Sequence, residues 1–357
     1  MKHSLACEAV ERTGGSSSRT RRCAGTRATG RTTRVAGPAG DQRRRVKPLR
    51  QTSLRRQARQ AVRSEMKIAT DTWMLRPQPI DTVFSTVRTA GFDYLELSPR
   101  PDVMPSYGGR RAAKATIAEI AEASKTHGVE VASIFIEQAW GSSEENIRRA
   151  AVGYWKQTIQ LAVDLGCDRI NSEFTGHPSA PQAGEAAMRR SLEEVLPLAE
   201  SEGITIALEP HPGDWVESGI EAVNFIRGLQ SDHVTYLHCV PHTYYLTGVE
   251  DERGQLKAVN RDIITYAGDT MDHIHLADTL LPGRTFLNPG SPGVRNHQHL
   301  DIGQGDIDWD EVFGALREVG FGGVASVAVF RHESRVMESL THNRRVIRER
   351  LEGGVDQ

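Results

Sequence analysis

Histidine and carboxylate side chains recur at regular intervals in the second half of the chain. Eight of the 13 histidines fall within residues 211–299. Glu209 ends one short apolar run, His242 follows the next, and His275 ends a third. If each run is a strand, these groups gather at one end of a sheet, where imidazole and carboxylate side chains can bind a metal ion. The alternative is a scatter of surface and helix-capping histidines, which this regular placement disfavours.

Several carboxylates at one site repel one another, and a divalent cation relieves that repulsion. Glu96 and Glu209 both end predicted strands, so we expect them to face the same space. Glutamate and histidine ligands together suit Mn²⁺, Zn²⁺, Co²⁺ or Fe²⁺ rather than Ca²⁺. The alternative is that these carboxylates form salt bridges with Arg100 or Arg295.

Strand-like and helix-like segments alternate from Met66 to the end of the chain. The β-rich runs are residues 66–71, 92–97, 129–136, 168–173, 204–209, 234–239, 272–277 and 323–330. The stretches between them have the periodicity of amphipathic helices, and glycines often mark the helix exits. This pattern predicts a (β/α)₈ TIM barrel. An open doubly wound sheet is disfavoured because neither a Gly-x-Gly-x-x-Gly turn nor a phosphate-binding loop is present.

Charge divides the chain near Met66. Residues 1–65 contain 17 Lys and Arg against 4 Asp and Glu, whereas residues 66–357 contain 27 against 42. We expect residues 1–65 to be a disordered basic tail and residues 66–357 to form the barrel domain. The tail is a misassigned start, a solvated arm for anionic partners, or an import peptide.

Cysteine content and hydropathy narrow the class of protein further. Only Cys167 and Cys239 lie in the barrel domain, which fits a protein of the reducing cytoplasm rather than a disulfide framework. No run of about 18 apolar residues is present, so no membrane span is expected. The acidic domain disfavours nucleic acid as a partner, because phosphate binding requires a basic surface.

Short motifs at these strand ends carry a family resemblance. Leu208-Glu209-Pro210, Pro241-His242 and the segment 274–278 resemble the sugar phosphate isomerase/epimerase superfamily, which has a xylose isomerase-like barrel. The resemblance covers essentially all of residues 66–351. Within the superfamily the chain is most similar to IolH-type proteins of myo-inositol catabolism. The segments that carry this similarity are 171–176, 209–214, 241–243, 288–292 and 297–309.

The resemblance implies a metal held by Glu, Asp, His and Glu on strands five to eight. Glu209 and His275 match the first and third of these positions, but Cys239 and Ala328 stand where Asp and Glu are usual. Cys239 is either a thiolate ligand or a packing residue. Glu173 and His242 can replace the missing ligands, so the predicted metal ligands are Glu173, Glu209, His242 and His275.

The implied chemistry is isomerisation or epimerisation of a sugar, a keto-sugar or an inositol-derived ketone. A base removes a proton next to a carbonyl, and a metal stabilises the resulting enediolate. The predicted catalytic residues are Glu173, Glu209, His211 and His299, and the predicted substrate-binding residues are Trp73, Glu96, Arg100, Arg295 and His297. A lyase or dehydratase acting on a similar ketone and a non-catalytic sugar-binding protein are the alternatives. The expected partner is a small sugar or polyol-derived substrate, and a homodimer is compatible with this fold.

Overall fold

Eight parallel strands close into a barrel in chain order, with the last strand paired to the first. The computed structural model describes residues 66–100, 102–103, 114–246, 259–280, 298–330 and 332–352. The strands are β1 (Lys67–Asp71), β2 (Tyr94–Leu97), β3 (Glu130–Ile136), β4 (Arg169–Glu173), β5 (Thr205–Glu209), β6 (Val234–Cys239), β7 (Met271–Leu276) and β8 (Val324–Val327). The predicted (β/α)₈ barrel is confirmed, and the predicted tail lies outside the described residues.

Helices follow the strands along the chain. Those in the described ranges are α1 (Ile80–Thr89), α2 (Lys114–His127), α3 (Glu145–Leu165), α4 (Pro181–Glu202), α5 (Gly219–Leu229), α6 (Val240–Leu246), α7 (Val259–Ala267), α8 (Trp309–Val319) and α9 (Val336–Glu352). None of these helices combines the length and apolar character needed to cross a membrane.

The alternation of side chains along each strand separates two environments. On β5, Ile206 and Leu208 belong to the main apolar core between the barrel and its helices, whereas Ala207 belongs to a small cluster inside the barrel. Gly166 and Gly203 end α3 and α4 in the left-handed conformation, with φ of 68° and 73°. Such glycines satisfy the last helical carbonyl groups and turn the chain back toward the next strand.

The barrel interior is polar toward the C-terminal ends of the strands, which we call the mouth. Its buried side chains include Glu96, Ser133, Asn171, His273 and His275. TIM barrels are commonly filled there by branched apolar residues. Buried polar groups are costly unless they are paired, so this interior requires an ordered network of hydrogen bonds and charges.

Asp278 anchors the loop that follows β7. Its backbone exchanges two hydrogen bonds of 2.9 Å with Leu300. Its carboxylate accepts hydrogen bonds from the backbone N–H of Gly303 at 2.8 Å and from Nε1 of Trp309 at 2.9 Å. A Cβ at Gly305 would overlap the Asp278 carboxylate. This anchor holds the neighbouring His299 against the barrel mouth.

Candidate metal centre at the barrel mouth

Three adjacent strands bring one metal-binding side chain each to the same point. Glu209 ends β5, Cys239 ends β6, and His275 lies near the end of β7. Cys239 and His275 are partners in the strand register. One donor atom from each of the three residues lies within 4.8 Å of the others, and all three residues are buried. Oε1 of Glu209 is 3.3 Å from Nδ1 of His275.

His242 extends this group from the first turn of α6. Helix α6 begins at Val240, directly after β6, and its Pro241 suits the first helical turn because no intrahelical N–H is needed there. The short connection puts Nδ1 of His242 3.1 Å from Oε1 of Glu209. Glu209 therefore lies between two imidazole nitrogens.

His299 reaches the same point from the anchored loop. Its Nδ1 is 2.6 Å from the carbonyl oxygen of Ala328, and its Nε2 is 3.1 Å from Nε2 of His242. Since Nδ1–H donates to that carbonyl, Nε2 of His299 accepts the proton of His242. The side chain of Ala328 has no atom that can bind a metal, but its backbone carbonyl thus holds an imidazole in place.

Glu96 lies deeper in the barrel and faces the other nitrogen of His275. Its Oε1 is 3.0 Å from Nε2 of His275, and its Oε2 is 2.8 Å from Nε2 of His273, although His273 is not aligned for a hydrogen bond. Ser133 donates to Oε2 at 2.7 Å, and Asn171 donates to it at 3.2 Å. Carboxylates commonly orient metal-binding histidines in this way.

The charges of these groups depend on one another. Burial alone would raise the pKa of Glu209, but His275 and His242 hold it well below its usual value. Burial would lower the pKa of His242, but Cys239 and Glu209 raise it to about 10. Likewise, Glu96 and Glu209 overcome burial and raise the pKa of His275 well above its usual value. The buried carboxylates therefore require nearby positive charge.

These residues fit a divalent cation. Tetrahedral donors at the usual metal distances of about 2.0–2.2 Å lie about 3.3–3.6 Å apart. The separations of Glu209 from His275 and His242, 3.3 Å and 3.1 Å, are close to that range. A cation can also provide the positive charge that otherwise comes from protons on the two imidazoles.

A second group lies nearer to solvent. Glu173, His211 and Asp214 are partly buried, and their donor atoms also lie within 4.8 Å of one another. Burial and the charge of Glu209 raise the pKa of Glu173 well above its usual value, and burial raises that of Asp214 to about 7. Edge-to-face packing of His211 on His242, with ring centres 4.5 Å apart, joins this group to the first. The structure thus brings Glu209, His242 and His275 together, with Glu173 in the adjoining group.

The β1 and β2 side of the mouth contains the predicted substrate-binding residue Trp73, next to Asp71 and Ser98. Asp71 accepts hydrogen bonds from the backbone N–H of Trp73 at 2.6 Å and from Oγ of Ser98 at 2.8 Å. The Trp73 ring packs under the Arg76 guanidinium, 3.4 Å from its centre. Burial, followed by the charge of Glu96, raises the pKa of Asp71 to about 8.

Two predicted substrate-binding regions differ in what the structure describes. The Arg100 guanidinium pairs with Asp102 at 2.7 Å and donates to the Gln78 carbonyl at 3.0 Å, so it joins its own loop to the loop after β1. Arg295 and His297 lie outside the described residues. The contact between His273 and Glu96 could not be predicted from the sequence, because a strand pattern does not show which interior side chains meet.

Comparison with known proteins identifies the family. The sequence profile of the xylose isomerase-like TIM barrel family matches residues 84–352. The chain belongs to this family. It is 24% identical over 248 residues to inosose isomerase of Bacillus velezensis, covering 68% of this chain and 80% of that relative.

Solved structures share the fold at low sequence identity. The IolI protein with a bound zinc atom aligns with a TM-score of 0.62 at 20% identity, over 82% of this chain and all of the other. The 3-keto-D-glucoside 4-epimerase YcjR of E. coli aligns with a TM-score of 0.59 at 19% identity, over 79% of this chain and all of the other. These likenesses establish the barrel architecture.

Proposed function

We propose that this protein is a metal-dependent isomerase or epimerase of a keto-sugar or an inositol-derived ketone. The observation that carries the proposal is the convergence of Glu209 and His275 with two further donors at the mouth of a barrel of this family. The similarity to inosose isomerase supports a cyclic polyol ketone, and the similarity to sugar epimerases supports a keto-sugar.

In this proposal Glu209, His242 and His275 hold the ion, and Glu173 lies in the adjoining group at the end of β4. When bound, a divalent ion supplies Lewis-acid stabilisation of the negative charge that develops on substrate oxygens. Glu96 keeps His275 oriented by accepting the hydrogen bond of its Nε2–H.

Proton transfer requires groups that are not committed to the ion. Glu173 is partly exposed at the mouth, and its Oε1 lies 3.6 Å from Nε2 of His211, so this pair can remove or return a proton. His299 is the second candidate, because its hydrogen bond to Ala328 fixes the ring and leaves Nε2 available to exchange a proton with His242. An isomerisation can use one group that both removes and returns the proton. An epimerisation needs one group that removes the proton and another that returns it.

The test begins with the full chain and its metal content. Elemental analysis should find near-stoichiometric Mn, Zn, Co or Fe in the wild type, and none in the double variant Glu209→Ala, His275→Ala. The metal-loaded protein is then incubated in D₂O with inososes and keto-sugars, and deuterium at carbon is followed by NMR. Deuterium incorporation into a product that, apart from the deuterium, keeps the formula of the substrate supports the isomerase proposal. Loss of water indicates a dehydratase, and binding without exchange indicates a non-catalytic protein.

A further inference from the structure

Cys239 occupies a different kind of environment from Cys167, the other buried cysteine among the residues that the structure describes. Its side chain lies at the C-terminal end of β6, in one donor group with Glu209 and His275 and in another with His242 and His299. Cys167 precedes β4 at the opposite end of the barrel, where its Sγ donates to the Arg169 carbonyl at 3.2 Å. Both cysteines are buried, so position rather than burial distinguishes them.

The surroundings of Cys239 suit a metal-bound thiolate. One donor atom from each of Cys239, Glu209 and His275 lies within 4.8 Å of the others, so a single ion can contact all three. Metal ligands bind in their deprotonated form, so a sulfur that binds this ion does so as a thiolate. The competing explanation is plain packing, because Cys239 also touches the small apolar cluster formed with Ala207 and Leu237.

The end of β8 strengthens the case for a sulfur donor. Ala328 offers no side-chain donor there, and its carbonyl oxygen is engaged by His299 at 2.6 Å. The possible metal donors at this point are therefore the Glu209 carboxylate, the imidazoles of His242 and His275, and the sulfur of Cys239. Sulfur with nitrogen donors selects Zn²⁺ and similar ions, whereas Mg²⁺ and Mn²⁺ prefer oxygen donors.

We propose that Cys239 binds the ion as a thiolate together with Glu209 and His275, and that it makes the centre selective for zinc-class ions over Mn²⁺. The inference rests on the proposed metal dependence, and it adds the class of ion and the residue that determines that class.

The experiment is a Co²⁺ titration of the metal-free full chain, followed by absorption spectroscopy. Wild type and the matched control Cys167→Ser should both show the near-ultraviolet charge-transfer band of a cobalt–thiolate bond. Cys239→Ser should lose that band and bind Co²⁺ about 100-fold more weakly, because even indirect partners of metal ligands change affinity about 10–100-fold. Cys239→Asp should also lose the band and gain affinity for Mn²⁺ relative to wild type.

The outcomes separate this inference from the proposed function. If wild type binds Co²⁺ without the band, the thiolate assignment is wrong while the metal centre stands. The same holds if Cys239→Ser binds Co²⁺ as tightly as wild type. If wild type binds no metal ion at all, both the thiolate and the proposed metal dependence are wrong.

Discussion

In the proposed metal centre, Glu96 is a buried carboxylate that orients His275 without itself binding the ion. It contacts Nε2 of His275 at 3.0 Å, on the side of the ring away from Glu209. The variant Glu96→Gln keeps the shape of the side chain but removes its charge. We expect it to bind Zn²⁺ about 10–100-fold more weakly, as is usual for partners of metal-binding histidines.

Calorimetric titration of the metal-free variant checks this prediction. The matched control is Ser133→Ala, which removes one hydrogen bond to Glu96 but leaves its contact with His275, and its affinity should change much less. Equal affinities of Glu96→Gln and wild type for Zn²⁺ would mean that Glu96 fills the barrel interior without affecting metal binding.

Asp71 makes stability depend on pH. Burial and the charge of Glu96 raise its pKa from 3.8 to about 8, so the folded protein retains a proton that the unfolded chain releases. Its stabilising contribution is therefore fully present below about pH 4 and is lost as the pH rises through about 8. Urea unfolding of metal-free Asp71→Asn should show a shallower loss of stability between pH 4 and 8 than wild type. The same dependence of stability on pH in both proteins would contradict the raised pKa of Asp71.

The loop after β7 depends on one carboxylate for its position. Asp278 accepts hydrogen bonds from Gly303 and Trp309, and removing its carboxylate leaves these buried donors without that acceptor. Asp278→Ala should lower the free energy of unfolding by roughly 1–3 kcal/mol. It should also lower kcat, because the same anchor holds His299 at the mouth.

The matched control for Asp278→Ala is a substitution at the start of α8. Asp308 caps that helix by accepting hydrogen bonds from Asp310 and Glu311, so Asp308→Ala should cost about 1 kcal/mol. It should leave kcat unchanged, because the cap does not contact His299. Urea unfolding and deuterium exchange measured on both variants test the pair. A kcat that falls equally in both would mean that general destabilisation explains the loss.

Elements were more predictable from sequence than contacts were. The eight strands were placed within a few residues because apolar runs and helix-ending glycines are local signals. Helix α6 was not predicted, because seven residues with Pro241 near the start give little periodicity. Strand ends also predicted that Glu209 and His275 face one space. Whether Glu173 or Cys239 lies closer to them depends on side-chain distances of a few ångströms, which no sequence pattern encodes.

At the scale of the whole molecule, the candidate centre ties together elements that are distant in sequence. Glu209, Cys239 and His275 come from β5, β6 and β7, and His242 comes from α6. An ion bound among them exists only when all four elements are folded. Metal binding must therefore stabilise the folded protein as a whole rather than one strand.

This linkage gives a prediction that needs no substrate. Zn²⁺ or Co²⁺ at about 100 times its dissociation constant should raise the free energy of unfolding by about 2.7 kcal/mol, and a chelator should reverse the effect. The Glu209→Ala, His275→Ala variant should show no response. The matched control is His238→Gln, because His238 is equally buried on β6 but bonds to Tyr236 and Asn260 instead of the centre. That variant should be less stable yet keep the full response to metal. A response that persisted in the double variant would place the ion elsewhere, and a response that vanished in both variants would mean that general destabilisation explains the loss.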